Sequence, residues 1–188
     1  QTSLQLNPDL LASRLLLAQM ELRGGDADEA LATLEVALKK KPALVAPYVL
    51  QSVALTQRGD YFQAEKNLQS LTGSFPEPLD QASIYRTLAW LKIHQRQFAE
   101  ARKYAERTAS LDPTSREALF VLGLAYMGER RGDAGLEKIE ARVNAHPKWA
   151  GGQEVLGRLL MLSGRQAKAE SYLRKAVQTD SMQASAWI

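Results

Sequence analysis

The residues able to do acid–base, nucleophilic or metal chemistry are few in this chain, and they are poorly placed for it. Its 188 residues include two histidines, His94 and His146, and no cysteine. A catalytic triad or a metal centre needs further donors at a spacing that folding can bring to one point, and neither histidine has such company. His94 belongs near a helix C-terminus, where an imidazolium complements the helix dipole, and His146 directly precedes Pro147 in a loop. Gly128, Gly132 and Gly135 cluster, but no strand precedes them and no Gly-Lys-Ser/Thr follows, so a phosphate cradle is not expected. Arg58-Gly59-Asp60 and Arg131-Gly132-Asp133 spell an adhesion tripeptide twice. Both also read as a turn, with Arg at a helix end, Gly in the left-handed cap and Asp at the next N-cap, and that local account suffices. The expectation is therefore no catalytic residue, no cofactor and no metal ligand. Without cysteine there is no disulfide framework either.

Charge narrows the partner class. Lys plus Arg number 24 against 21 Asp plus Glu, a net charge of +3. The visible basic clusters, Lys39-Lys40-Lys41 and Arg130-Arg131, fall at helix ends, where cations are favoured in any case. Nucleic-acid binding calls for a basic stripe with interleaved aromatics, and none is expected here. No apolar run approaches the ~20 residues that span a bilayer, so direct membrane insertion is not expected. Gln1–Leu6 has neither the basic start nor the apolar core of a signal peptide. Localisation stays open between cytoplasm and periplasm, because targeting signals would lie outside this segment.

The elements that must position any site follow from proline. Pro8, Pro42, Pro76, Pro113 and Pro147 are spaced 34, 34, 37 and 34 residues apart, and Ser181 stands where a sixth is due. A fixed period of this length means one helix–turn–helix unit copied end to end. Placing the proline at residue 32 of each unit starts five units at Leu11, Val45, Ala82, Arg116 and Ala150. The eighth residue is then small in every copy: Ala18, Ser52, Ala89, Gly123 and Gly157. So is the twentieth: Ala30, Ala64, Ala101, Gly135 and Ala169. Two helices packed closely in a hairpin need small residues on their facing surfaces. Leu34, Leu68, Ala105, Ile139 and Leu173, with Leu17, Gln51, Leu88, Leu122 and Leu156, are expected to seal the same interface. The 37-residue spacing is a three-residue insertion near Glu77-Pro78-Leu79, expected in a loop.

First helices are expected over roughly 10–23, 45–58, 80–95, 115–129 and 149–163, and second helices over roughly 27–40, 61–73, 98–110, 133–145 and 166–179. Asp26 with Glu29, and Asp60 with Gln63, read as capping boxes. Gly25, Gly59 and Gly164 read as left-handed helix ends. The domain reading is one solenoid: 1–10 as the end of a preceding repeat, then 11–44, 45–81 with the insertion, 82–115, 116–149 and 150–183, and 184–188 as the start of a further repeat.

Leu119-Phe120-Val121-Leu122-Gly123-Leu124-Ala125-Tyr126, Gly59-Asp60-Tyr61-Phe62-Gln63-Ala64 and Leu111-Asp112-Pro113 are the residues in which the chain most resembles the tetratricopeptide repeat family. It departs from the family pattern at Glu21 and Lys92, where tyrosine is usual, at Gln51 for leucine and at Arg142 for alanine. The resemblance implies an all-α, right-handed superhelical solenoid of antiparallel helix hairpins, a segment of a longer bacterial-type array. It further implies that first helices line a concave groove, chiefly through the second, fifth, ninth, twelfth and thirteenth residues of each unit, of which the fifth and ninth are carried over here. Those residues include Val49, Val53, Arg86, Trp90, Phe120, Leu124, Glu154 and Arg158, the expected partner-binding set. Spacing of four puts each pair on one helical face. The same apolar stripe is alternatively plain core, buried by tight winding of neighbouring first helices. A family clamp for terminal carboxylates uses Lys and Asn at these positions, and this chain has neither there.

The functional expectation is a non-catalytic scaffold that binds a protein or peptide partner in a largely apolar groove. Two alternatives stand beside it: a regulatory or substrate-presenting segment of a larger enzyme such as a glycosyltransferase, and a component of bacterial exopolysaccharide assembly or export. Self-association is expected at the C-terminal end, through Tyr172, Leu173 and Val177, where another repeat would ordinarily pack.

Overall fold

The computed structural model describes residues 8–39 and 42–185, and among them are ten helices and no strand. They are α1 (Pro8–Gly24), α2 (Ala27–Leu38), α3 (Ala46–Arg58), α4 (Tyr61–Leu71), α5 (Pro78–His94), α6 (Phe98–Leu111), α7 (Arg116–Gly128), α8 (Gly132–Asn144), α9 (Ala150–Leu162) and α10 (Gln166–Ser185). The chain is an all-α helical-repeat solenoid. It divides into two compact units, Gln1–Gln95 and Arg96–Ile188, each taken by itself below.

Small residues let the helices close. In the first unit Ala18, Ala30, Ser52 and Ala64 are wholly buried, and so are Leu34, Leu68 and Ile84. In the second, a Cβ added at Gly135 would stand 2.4 Å from Tyr126 Cβ on α7. At Gly157 it would meet Leu173 of α10 at 2.7 Å. Gly123 is small for another reason: its neighbour is Leu159 of α9, at 2.5 Å, so it admits the next first helix rather than its own hairpin partner.

One backbone conformation recurs in each turn that leads from a first helix to a second. Gly25, Gly59, Arg96, Arg130 and Gly164 all have positive φ, between 59° and 92°. The turn after α3 shows how it closes, with the Asp60 N–H donating to Leu55 O at 2.9 Å across the left-handed Gly59. Arg131 repeats that bond to Tyr126 O at 2.8 Å and Arg165 to Leu160 O at 2.9 Å. The second Arg-Gly-Asp is thus read out of register by the tripeptide: Arg130 takes the left-handed place and Gly132 opens α8.

Several local expectations need correction. Asp26 and Asp60 occupy N-cap positions, but neither makes a side-chain cap bond. Asp60 instead accepts from the Arg58 guanidinium, a stronger charge-assisted partner than a backbone amide. Only at α7 does a described N-cap side chain accept, Ser115 Oγ from the Ala118 N–H at 3.3 Å. The insertion does not lengthen a loop: Pro78 and Leu79 form the first turn of α5, because proline is suited to a helix start. α10 runs to Ser185 instead of stopping near 179, since Ser181 replaces the proline that would break it. Leu17 is exposed rather than sealing an interface, as no described element covers that face of α1. Lys40, Gln1–Asn7 and residues 186–188, which the expected helix end and the partial terminal repeats involve, lie outside the described residues.

The departures from the family pattern have local partners. Lys92 is buried, and its Nζ donates to both Glu65 carboxylate oxygens at 2.8 Å. Glu21 Oε1 accepts from Thr33 Oγ1 at 3.1 Å. Arg142 donates to Ala109 O at 3.3 Å and Pro113 O at 2.7 Å, and its guanidinium lies 6.0 Å from the Trp149 ring.

Candidate functional site

Within the first unit, α3 and α5 present matching stripes. Val49 and Val53 are one turn apart on α3, and Arg86 and Trp90 are one turn apart on α5. All four line a single cleft of about 350 Å³. Val49 is buried and floors it. Val53, half-buried, also packs with Leu50 against the core cluster of Leu22, Ala30 and Ala54. The groove and core readings of this stripe therefore meet in the same side chains. Trp90 and Arg86 are both half-buried, each keeping part of its surface at the cleft.

The cleft's far end is formed by the thirteenth residue of each unit, a groove position that the family resemblance implies, although the expected partner-binding set names neither residue there. Gln57 and His94 line it too, each four residues beyond Val53 and Trp90 respectively.

Most polar groups in the cleft are committed to the fold. Thr56 Oγ1 donates to Ser52 O at 2.8 Å, and Thr87 Oγ1 to Ser83 O at 2.9 Å, each within its own helix. Gln57 Nε2 donates to Leu22 O at 3.2 Å. Arg86 Nη2 donates to Ser83 Oγ at 3.2 Å. No Asp or Glu is among the lining residues.

The other four expected residues belong to the second unit, on α7 and α9. Phe120 and Leu124 are half-buried on α7. The Arg158 guanidinium lies 4.6 Å from the Phe120 ring centroid, close enough for a cation–π contact. Glu154 pairs with Arg158 at 3.8 Å and with Arg116 at 3.2 Å. Here the polar members of the stripe are already engaged with one another.

Two further concavities lie in this unit. One, about 700 Å³, includes Met161 of α9 and Leu173 and Val177 of α10, with Glu170 and Arg174 at its rim. Tyr172 does not share this face: it is buried, and its hydroxyl donates to Glu140 Oε1 at 2.8 Å. The other, about 450 Å³, sits among Pro113, His146, Pro147 and Trp149 at the loop edge. Among the described residues, no group of three or more His, Asp or Glu is placed to hold a metal ion. Nor is any described helix long and apolar enough to cross a membrane.

A tetratricopeptide repeat profile matches residues 1–44 and 86–148, and a second one matches 153–181. The chain belongs to the tetratricopeptide repeat family. Solved structures agree at the level of the fold. TTC0263, a thermophilic TPR protein of Thermus thermophilus, is 17% identical with a TM-score of 0.67, covering 94% of this chain and 98% of its own. PilF of Pseudomonas aeruginosa is 16% identical with a TM-score of 0.63, over 90% of this chain and 76% of its own. MamA of Desulfovibrio magneticus RS-1 is 22% identical with a TM-score of 0.55, over 92% and 96%. No curated protein sequence matches the chain. Repeats of this family are generally non-catalytic, and the chain is a scaffold for protein–protein interaction.

Proposed function

We propose that this scaffold binds a peptide or helix of a protein partner in the cleft between α3 and α5, and that it does no chemistry on it. The observation that carries the reading is the convergence of Val49, Val53, Arg86 and Trp90 on one concavity. Aromatic and arginine side chains in a partly desolvated pocket are the usual anchors of an interface. Phe120, Leu124, Glu154 and Arg158 would add a second contact surface in the other unit. The residues of the cleft include no nucleophile–base pair, which is why binding, not catalysis, is proposed.

Trp90→Ala tests this. Against peptides selected for binding to the wild-type chain, the variant should lose about 2 kcal/mol or more, roughly thirtyfold in affinity. Far-ultraviolet circular dichroism should stay essentially unchanged. If the variant unfolds instead, Trp90 is a core residue and the cleft is not a binding site.

A further inference from the structure

We propose that the α1 face of one copy of this chain takes the α9–α10 hairpin of a second copy, head to tail, in the register that joins neighbouring hairpins within the fold. The inference does not rest on the cleft. In the other first helices the tenth residue of the repeat is sealed: Ala54, Leu91, Ala125 and Leu159 are all wholly buried. In α1 the same place holds Met20, which is 61% exposed, and Leu16 and Leu17 are exposed with it. On α10, Val177 is 66% exposed, whereas Val143, at the equivalent place on α8, is buried. Val177 lines the concavity of about 700 Å³ with Met161 and Leu173. The two faces are the two sides of a repeat junction, and apolar surface of this kind is what stacking removes from water.

Register says which residues meet. Leu159, tenth in its repeat, packs at the place of Gly123, eighth in the repeat before it. The same register brings Met20 of one copy to Gly157 of the next. Charge agrees at a second point. Within the second unit, Glu106 pairs with Lys138 at 3.1 Å and Glu140 with Lys168 at 2.6 Å, each pair joining successive second helices. Arg174 stands at the place of Glu106 and Glu140, and Glu29 at the place of Lys168. Both are exposed, so two copies offer each other that pair with its signs exchanged. One pair opposes the stack. Glu170 and Glu21 stand where Glu65 and Lys92 form their ion pair, and Arg174, 2.6 Å from Glu170, offsets that repulsion.

Sedimentation velocity on variants with one spoiled face tests the arrangement. A head-to-tail contact leaves one face of each kind unused on a dimer, so the wild-type chain should grow past the dimer as concentration rises. Met20→Glu and Val177→Glu each spoil one face and should each be monomeric alone. Mixed, they should form a one-to-one complex that stops at two chains, because each supplies the face the other has lost. Both side chains are exposed, so the thermal midpoints of the variants should match wild type. Arg174→Glu should weaken association about threefold, and Glu29→Lys in the same chain should restore it. Glu170→Lys should tighten association, its cation meeting Glu21 as Lys92 meets Glu65. A Met20→Glu chain that still dimerises would overturn the proposal, and so would a mixture of the two variants that stays monomeric. A loss in Arg174→Glu that Glu29→Lys leaves unrepaired would overturn the register.

Discussion

At the scale of single residues, the hairpin turns are where this chain departs from its own best solution. Three of the five left-handed positions hold glycine, while Arg96 and Arg130 hold that backbone with a Cβ attached. A non-glycine residue there costs on the order of 1 kcal/mol or more, partly offset by its smaller freedom in the unfolded chain. Arg96→Gly and Arg130→Gly should each raise stability by about 0.5 kcal/mol in urea unfolding, with no change in helicity. Gly135→Ala should do the reverse. Its Cβ would overlap Tyr126 Cβ, which is not the movable end of a flexible side chain, and overpacking of this kind costs about 1–3 kcal/mol. Equal midpoints for wild type and Gly135→Ala would show that α7 and α8 can part without loss.

Between elements, charged side chains join one second helix to the next. Glu140 on α8 accepts from Lys168 Nζ at 2.6 Å and from the Tyr172 hydroxyl at 2.8 Å, both on α10. The Lys168 bond first, and the Tyr172 bond after it, hold the Glu140 carboxyl below the usual carboxylate range. A carboxyl depressed in the folded state contributes stability that is present above its unfolded pKa and lost as pH falls through the folded value. Stability of the second unit should therefore drop on acidification below about pH 4. Glu140→Gln should be less stable than wild type near neutrality and should show a shallower acid loss. Parallel pH profiles for the two proteins would remove Glu140 from that account. Burial acts on its partner in the opposite sense, pushing the Tyr172 hydroxyl up, so Tyr172 stays a neutral donor across this range.

For the molecule as a whole, the exposed face of the last hairpin is the feature with consequences in solution. Met161 and Val177 are both more than half exposed there. A repeat array buries such faces by stacking, and terminal repeats need polar outer surfaces to stay soluble. We expect the chain to self-associate through this face, giving a concentration-dependent weight in sedimentation velocity. Val177→Glu should restore the monomer. A wild-type chain that stays monomeric at high concentration would show that the rim charges of Glu170 and Arg174 protect the face sufficiently.

Periodicity alone determined the helical-repeat class and the two residues per unit that must be small, because a copied unit repeats its packing constraints at fixed spacing. It also located the turns: Gly25, Gly59 and Gly164 are left-handed as their type suggests. Arg96 and Arg130 were illegible in the same role, since no local preference places arginine there and the repeat's geometry imposes it. Half of the expected site came together in one cleft because Val49, Val53, Arg86 and Trp90 sit at equivalent positions of successive first helices. Which polar groups in that cleft are spent within the fold was decided only in three dimensions. Thr56 and Thr87 bond back to their own helices and Gln57 to the carbonyl of Leu22, 35 residues away. Lys92 finds Glu65 across a helix pair. Residue type reports what a side chain can donate or accept, whereas the partner that satisfies it depends on which distant backbone the fold brings alongside.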